Sequence, residues 1–240
     1  MTKIRLSLRR AMLFACLLIL ALIALFPMRI MMGALDLQRA GLSAREVQGS
    51  VWSARLIEAR FGGAGLGDLD ARLNLWPLFA GRARLDLRRG GEGADALSGA
   101  ITVTRHMIGM DDATMRLPVG ATFAPLPVTS LDLSDVSVRF RGSTCDKAEG
   151  LVRAEVSGDT AGLTLPGGLS GAVRCDGGRL LLPLASQSGM ERLSLRIDKN
   201  GAYTADLIVR TSDPAGQRAL QAGGFRLDGD GFKLSVAGTL

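Results

Sequence analysis

Leu69-Asp70-Ala71-Arg72-Leu73-Asn74-Leu75 and, eight positions on, Ala83-Arg84-Leu85-Asp86-Leu87-Arg88 decide the fold class. Apolar side chains occupy every odd position and polar ones every even position. A period of two puts one set on each side of an extended chain, so each segment reads as a strand with one face buried and one in water. The same alternation recurs further along, in Val152-Arg153-Ala154-Glu155-Val156, in Leu193-Ser194-Leu195-Arg196-Ile197, and at Tyr203, Ala205, Leu207 and Val209. Phe232, Leu234 and Val236 repeat it near the end. Strands that keep one polar face are antiparallel ones. Glycine pairs at Gly62-Gly63, Gly90-Gly91, Gly167-Gly168, Gly177-Gly178 and Gly223-Gly224 punctuate these runs and supply the positive φ that tight turns require. The expected fold is mainly β: an antiparallel β-sheet domain over 49–240, with an open curved sheet among the forms it can take.

Helical signals in this region are few. Leu75-Trp76-Pro77-Leu78-Phe79-Ala80-Gly81 reads as a single turn between two strands, with Pro77 near its start and Gly81 at its stop. Asp213 can cap a helix running to Gln221, with Pro214 in its first turn and Gly223-Gly224 beyond its end. Ala121 to Pro127, with its prolines, reads as a loop dividing the domain into halves of about 49–120 and 128–240.

Before this domain, Ala11 to Met28 reads AMLFACLLILALIALFPM, eighteen residues without a charge. At ~1.5 Å per residue a helix of that length spans ~27 Å, close to the ~30 Å of a bilayer's hydrocarbon core. Lys3, Arg5, Arg9 and Arg10 precede it and only Arg29 follows closely. The positive-inside rule then makes residues 1–10 a cytoplasmic tail, 11–28 a transmembrane signal anchor, 29–48 a connecting segment and 49–240 a periplasmic domain. A cleaved signal peptide is the competing reading, but the apolar run is longer than the usual ~7–15 residues and Met32-Gly33-Ala34 makes a poor cleavage site. The same five basic residues account for most of the net charge of +6, leaving about +1 for the remainder. The basicity is a local tag, which argues against nucleic-acid binding, as does an aromatic content of 5%.

Three cysteines divide between these regions. Cys16 lies in the apolar run, where it reads as a small apolar filler, with lipidation second. Cys145 and Cys175 lie in the exported part and are expected to form a disulfide in an oxidising compartment, against the alternative of two unrelated thiols. A metal site is the poorest reading, since no Cys-x-x-Cys occurs and the single His is distant.

No catalytic constellation emerges. His106 could serve as a general base, but its strand-like setting suits a packed or surface residue better. Asp111-Asp112 could pair as carboxylates, but reads more simply as a polar turn. Gly62-Gly63-Ala64-Gly65-Leu66-Gly67 lacks the Lys-Ser/Thr end of a phosphate loop and reads as a hairpin turn. Gly189-Met190-Glu191 carries no serine where a nucleophile elbow needs one. No catalytic, cofactor-binding or metal residue is assigned, and no enzyme activity is expected.

The layout resembles the type II secretion system protein N family, also called general secretion pathway protein N. The N-terminal anchor is followed by Gln48-Gly49-Ser50-Val51-Trp52-Ser53-Ala54-Arg55-Leu56, similar to that family's opening motif. Leu66-Gly67-Asp68-Leu69 and Leu78-Phe79-Ala80-Gly81-Arg82 follow in the family's order, and Cys145, Leu169-Ser170-Gly171, Cys175-Asp176 and Leu182-Pro183-Leu184 continue it. The resemblance implies a non-catalytic inner-membrane accessory subunit supporting export of folded proteins across the outer membrane through contacts with other secretion subunits. The same strands also resemble AsmA/TamB-like bridge proteins, which would imply a periplasmic groove in contact with lipid. A periplasmic enzyme is the third reading, which the missing site chemistry disfavours.

Overall fold

The computed structural model describes residues 8–34, 42–61, 64–91, 96–156 and 168–240. Its centre is one antiparallel sheet of sixteen strands. The strands are β1 (Leu42–Ser43), β2 (Glu46–Ser50), β3 (Ser53–Phe61), β4 (Ala64–Asn74), β5 (Ala83–Arg89), β6 (Leu97–Val103), β7 (Met107–Pro118) and β8 (Val128–Arg141). They continue as β9 (Thr144–Val156), β10 (Leu169–Ala172), β11 (Arg174–Asp176), β12 (Arg179–Ala185), β13 (Glu191–Ile197), β14 (Ala202–Val209), β15 (Arg226–Asp228) and β16 (Gly231–Thr239). From β3 to β10 each strand pairs with the next in sequence, so the sheet is essentially a meander. It does not close: β1 ends one side of the strand order and β15 the other.

The alternating segments lie in strands β4, β5, β9, β13, β14 and β16, with the apolar sets of the first five facing inward. Leu69, Ala71, Leu73, Leu85 and Leu87 are buried in one core cluster that includes Met28, Leu56 and Ile101. Val152, Ala154, Leu193, Leu195, Tyr203, Ala205, Leu207 and Val209 are buried in a second. Met115 and Leu117 of β7 pack against both clusters. Phe123 and Leu126, from the stretch 121–127, belong to the second cluster. A 3-10 turn, Gly120–Phe123, carries Phe123 onto the edge of the Tyr203 ring at a centroid separation of 4.9 Å, and the Tyr203 hydroxyl donates to the Thr122 carbonyl. Leu126 is buried beside it. The segment is a plug for the second core, because a sheet that curls must fill the space between its faces.

The curl is strong. β4 and β7 have Cα atoms within 8 Å although β5 and β6 lie between them. At ~4.8 Å per strand a flat sheet would hold them ~14 Å apart. The cause is a set of β-bulges. The apolar positions of β7 are even up to Met110 and odd from Ala113. Those of β8 are odd at Leu131 and Leu133 and even from Val136. Those of β3 are even up to Leu56 and odd from Ala59. Each change of parity coincides with a register shift against the neighbouring strand. One extra residue per strand keeps the apolar side chains on the inner face while bending and twisting the ladder.

The short helices form where expected. Helix α3 (Leu75–Phe79) is capped by the Asn74 side chain, and α4 (Pro214–Ala222) by Asp213, which accepts from the Ala215 and Gly216 amides. Leu220 of α4 is buried against the second core. At the N-terminus the run 11–28 is not one helix. Helix α1 spans Leu8–Ala24, the chain breaks at Leu25-Phe26-Pro27, and α2 spans Met28–Ala34. Pro27 has no amide hydrogen to continue α1, and it bridges Ser50 instead. Met28 and Met32 of α2 are buried in the first core, so the packed domain begins ahead of residue 49. Among the described residues no helix is long and apolar enough to cross a membrane. At 17 residues α1 is about 26 Å long.

Candidate functional site

The outer face of the sheet carries its charge. β5, β7, β8 and β9 line a shallow polar cleft of about 170 Å³. Asp111 lies at its base, accepting from Thr102 Oγ1 at 2.7 Å and facing Arg84 at 3.5 Å and Arg139 at 3.7 Å. Arg84 also holds Asp86 at 3.0 Å, and Lys147 holds Glu149 at 2.6 Å. Acids and bases here pair with one another across the strands.

Beside it, two triplets of the form Asp-x-Ser/Thr interlock across β7 and β8. Asp112 sits in the left-handed region at φ 51° and Asp135 at φ 50°. The Asp112 amide donates to Ser137 Oγ at 2.9 Å, and Ser137 Oγ donates to Asp112 Oδ1 at 3.3 Å. The Asp135 amide donates to Thr114 Oγ1 at 3.1 Å, and Thr114 Oγ1 donates to Asp135 Oδ1 at 3.3 Å. The third bulge follows the same rule: Glu58, at φ 49°, donates its amide to Asp68 Oδ1 at 3.0 Å. A bulge takes an amide out of the ladder, and a side chain on the adjacent strand receives it. Opposite the β8 bulge Gly150 adopts φ 113°, and a Cβ there would stand 2.5 Å from the Asp135 carbonyl oxygen. The pair Asp111-Asp112 is thus not a turn; it is where β7 bends.

Further along the same face Arg116 grips Asp132 with two hydrogen bonds, at 2.6 and 3.0 Å, and reaches Glu155 at 2.6 Å. Glu155 accepts from Ser130 Oγ at 3.0 Å. Hydrogen bonding to Asp132, then its charge, holds the Arg116 guanidinium above its ordinary pKa. This stitches β7, β8 and β9 together and leaves no open position.

The remaining candidates are scattered. His106 is exposed in the bend between β6 and β7, not in a strand, and its carbonyl accepts from the Gly142 amide. Gly65 and Gly67 lie within β4, whereas the turn expected at Gly62-Gly63 lies outside the described residues. Gly189-Met190 forms part of the turn before β13, at Glu191. Cys16 is exposed on α1. Cys145 and Cys175 are bonded, with Cα atoms 5.6 Å apart. The bond joins the start of β9 to β11, and the Cys145 amide donates to the Gly178 carbonyl at 2.7 Å alongside it. Leu151–Val156 is the far end of the strand that begins at Thr144, and β10 pairs along it. Among the described residues no group of His, Cys, Asp or Glu side chains is arranged to hold a metal ion.

Sequence reading overlooked the junction of α1 with the sheet. The Val51 amide donates to the Phe26 carbonyl at 3.0 Å, and the Leu73 amide donates to the Val51 carbonyl at 2.9 Å. The Trp52 indole donates to the Ile23 carbonyl at 3.0 Å. The end of α1 is thereby fixed to the β2–β3 turn and to the end of β4. Among the described residues the helix itself packs on nothing: its large apolar side chains from Met12 to Ile23 are between 53% and 66% exposed. Leu17, Leu18, Ile19 and Leu20 project in four directions around it, so no face is polar.

Fold and face together define a class: an open, curled antiparallel sheet whose outer charges pair with one another, carried on a bare apolar helix. A family model described as Type II secretion system (T2SS), protein N, matches residues 40–235. Type II secretion system protein N of Vibrio cholerae serotype O1 is 29% identical over 148 residues, a match covering 58% of this chain and 58% of that protein. No solved structure matches. The chain belongs to the type II secretion system protein N family.

Proposed function

We propose that the chain is a non-catalytic accessory subunit of the type II secretion system, held in the inner membrane by the apolar part of α1, residues 11–24. Residues 1–10 face the cytoplasm, and the chain beyond the anchor, with the sheet that begins at Leu42, stands in the periplasm. There it supports export of folded proteins across the outer membrane through contacts with other subunits of the machine. The observation that carries this reading is α1. A helix exposing Leu, Ile and Phe on every side is untenable in water, each buried side chain being favoured by ~1.5–3 kcal/mol. Its uncharged part, residues 11–24, is about 21 Å long, about 9 Å short of a typical hydrocarbon core, a mismatch that bilayers absorb by local thinning at fractions of a kcal/mol per Å. The Cys145–Cys175 bond suits an oxidising compartment. The neutralised outer face suits contact with protein rather than turnover of a substrate. The inner face is filled by its own side chains in two packed clusters, which favours a scaffold over a lipid-carrying groove.

The test is topological and functional. Alkaline phosphatase fused after Gly49 should be active, and deletion of the gene should leave folded secretion substrates in the periplasm while affinity capture of the tagged chain recovers other secretion subunits. An inactive phosphatase fusion with an active cytoplasmic reporter at the same position would refute the orientation. Unimpaired secretion would refute the role.

A further inference from the structure

We infer that α3 is a second membrane contact: the turn Leu75-Trp76-Pro77-Leu78-Phe79 enters the interfacial layer of the leaflet from which α1 emerges and sets the sheet's N-terminal end against the bilayer. The inference rests on α1 being the membrane anchor.

Most of the domain hides its aromatic side chains, yet Trp76 is 83% exposed and Phe79 86% exposed. Leu75 is half exposed beside them, and the two rings stand 6.4 Å apart as one apolar knob. Leu78 alone of the turn packs against the core. No acidic residue lies in the first turn and no basic one in the last. In water such a knob has no partner among the described residues.

Its location selects the occupant. Phe26 at the end of α1 is bonded to Val51, and Val51 to Leu73. Leu75 follows two residues later, ~7 Å along the chain. Asn74 then caps α3 by accepting from the Trp76 amide, which fixes the direction in which the turn leaves the sheet. The knob therefore sits at the end of the sheet where α1 arrives. Both tryptophans of the chain are at this end: Trp52 on the α1 carbonyl of Ile23, and Trp76 on α3. Tryptophan and other amphipathic rings gather where hydrocarbon meets headgroups, because the ring body is apolar and its edge is wet. A single helix fixed to the sheet at its end still leaves the domain free to tilt with the helix in the bilayer. A second apolar contact beside the first removes that freedom and presents the sheet to its partners at a fixed angle.

Full-length protein in phosphatidylethanolamine/phosphatidylglycerol vesicles tests this. Tryptophan emission of the parent minus that of Trp76→Phe isolates Trp76, and Trp76 is exposed enough for that change to leave the fold intact. The Trp76 signal should be blue-shifted, protected from acrylamide, and at least halved by lipids carrying a doxyl quencher high on the acyl chain. Protein that floats with the vesicles while Trp76 emits as a water-exposed, acrylamide-accessible indole would overturn the inference and leave the anchor standing. The same holds if Trp76 is shielded from acrylamide but not quenched by the lipid, which would assign the knob to a protein surface. Protein that fails to float at all would overturn both the anchor and the contact.

Discussion

Removing the Cys145–Cys175 bond tests whether the sheet's middle is held by the chain's own pairing or by the cross-link. The bond closes a loop of sequence separation 30 between β9 and β11. On the chain-entropy account the closure is worth −2.1 − 1.5R ln n cal/mol/K, which for n near 30 is about 12 cal/mol/K, or ~3.6 kcal/mol at 25 °C. The native contacts around it do not depend on the sulfurs: β10 still pairs with β9 from Leu169 to Ala172, and the Cys145 amide still reaches Gly178. Cys145→Ser should thus leave the fold unchanged and destabilise it almost wholly through the unfolded state. In a chain of this size ~3.6 kcal/mol corresponds to a drop in Tm of roughly 7–14 °C. Urea and thermal unfolding of the full chain in mild detergent would measure this for Cys145→Ser, Cys175→Ser, the double variant, and the parent treated with reductant. All four should coincide within ~0.5 kcal/mol, because all lose the same bond. A single variant as stable as the oxidised parent, or a double variant clearly worse than both singles, would refute the reasoning and show that the thiols contribute by packing.

Other perturbations probe the curl. Gly150→Ala forces a side chain into φ 113° and against the Asp135 carbonyl, so a loss of at least ~2 kcal/mol is expected in urea titration. Ser137→Ala and Thr114→Ala each orphan one bulge amide, costing ~0.5–1.5 kcal/mol, with faster hydrogen exchange confined to β7 and β8. Leu195→Ala, at a fully buried site, should cost ~2–5 kcal/mol. Arg116→Lys keeps the charge but loses the two-bond grip on Asp132, so Tm should fall. Arg116 has a raised folded-state pKa, so its contribution is complete below the unfolded value and is lost only as pH rises through the folded one. Both lie in strong alkali, and Arg116 should give no slope in stability between about pH 5 and pH 9.

Local chemistry reached the reader directly from the chain. Alternation at Leu69–Leu73 and Leu193–Ile197 determined strands and their inner faces, because a period of two has only one way to bury an apolar set. Asp213 marked a cap, Pro77 with Gly81 a short turn, and Gly177-Gly178 and Gly223-Gly224 two further turns, and the bare apolar run after Arg10 marked α1. The bulges were legible too, as parity changes between Met110 and Ala113 and between Leu133 and Val136, but a reading that looks for unbroken alternation passes over them. What the chain could not show was distance. That Asp112 answers Ser137 and Asp135 answers Thr114, that Phe123 plugs the core against Tyr203, and that Trp76 lies at the end where α1 arrives all depend on which strand ends meet. Strand pairing and curvature set those meetings, and both are properties of the whole sheet: each bulge bends the ladder a little, and only their sum over sixteen strands brings residues eighty positions apart into contact.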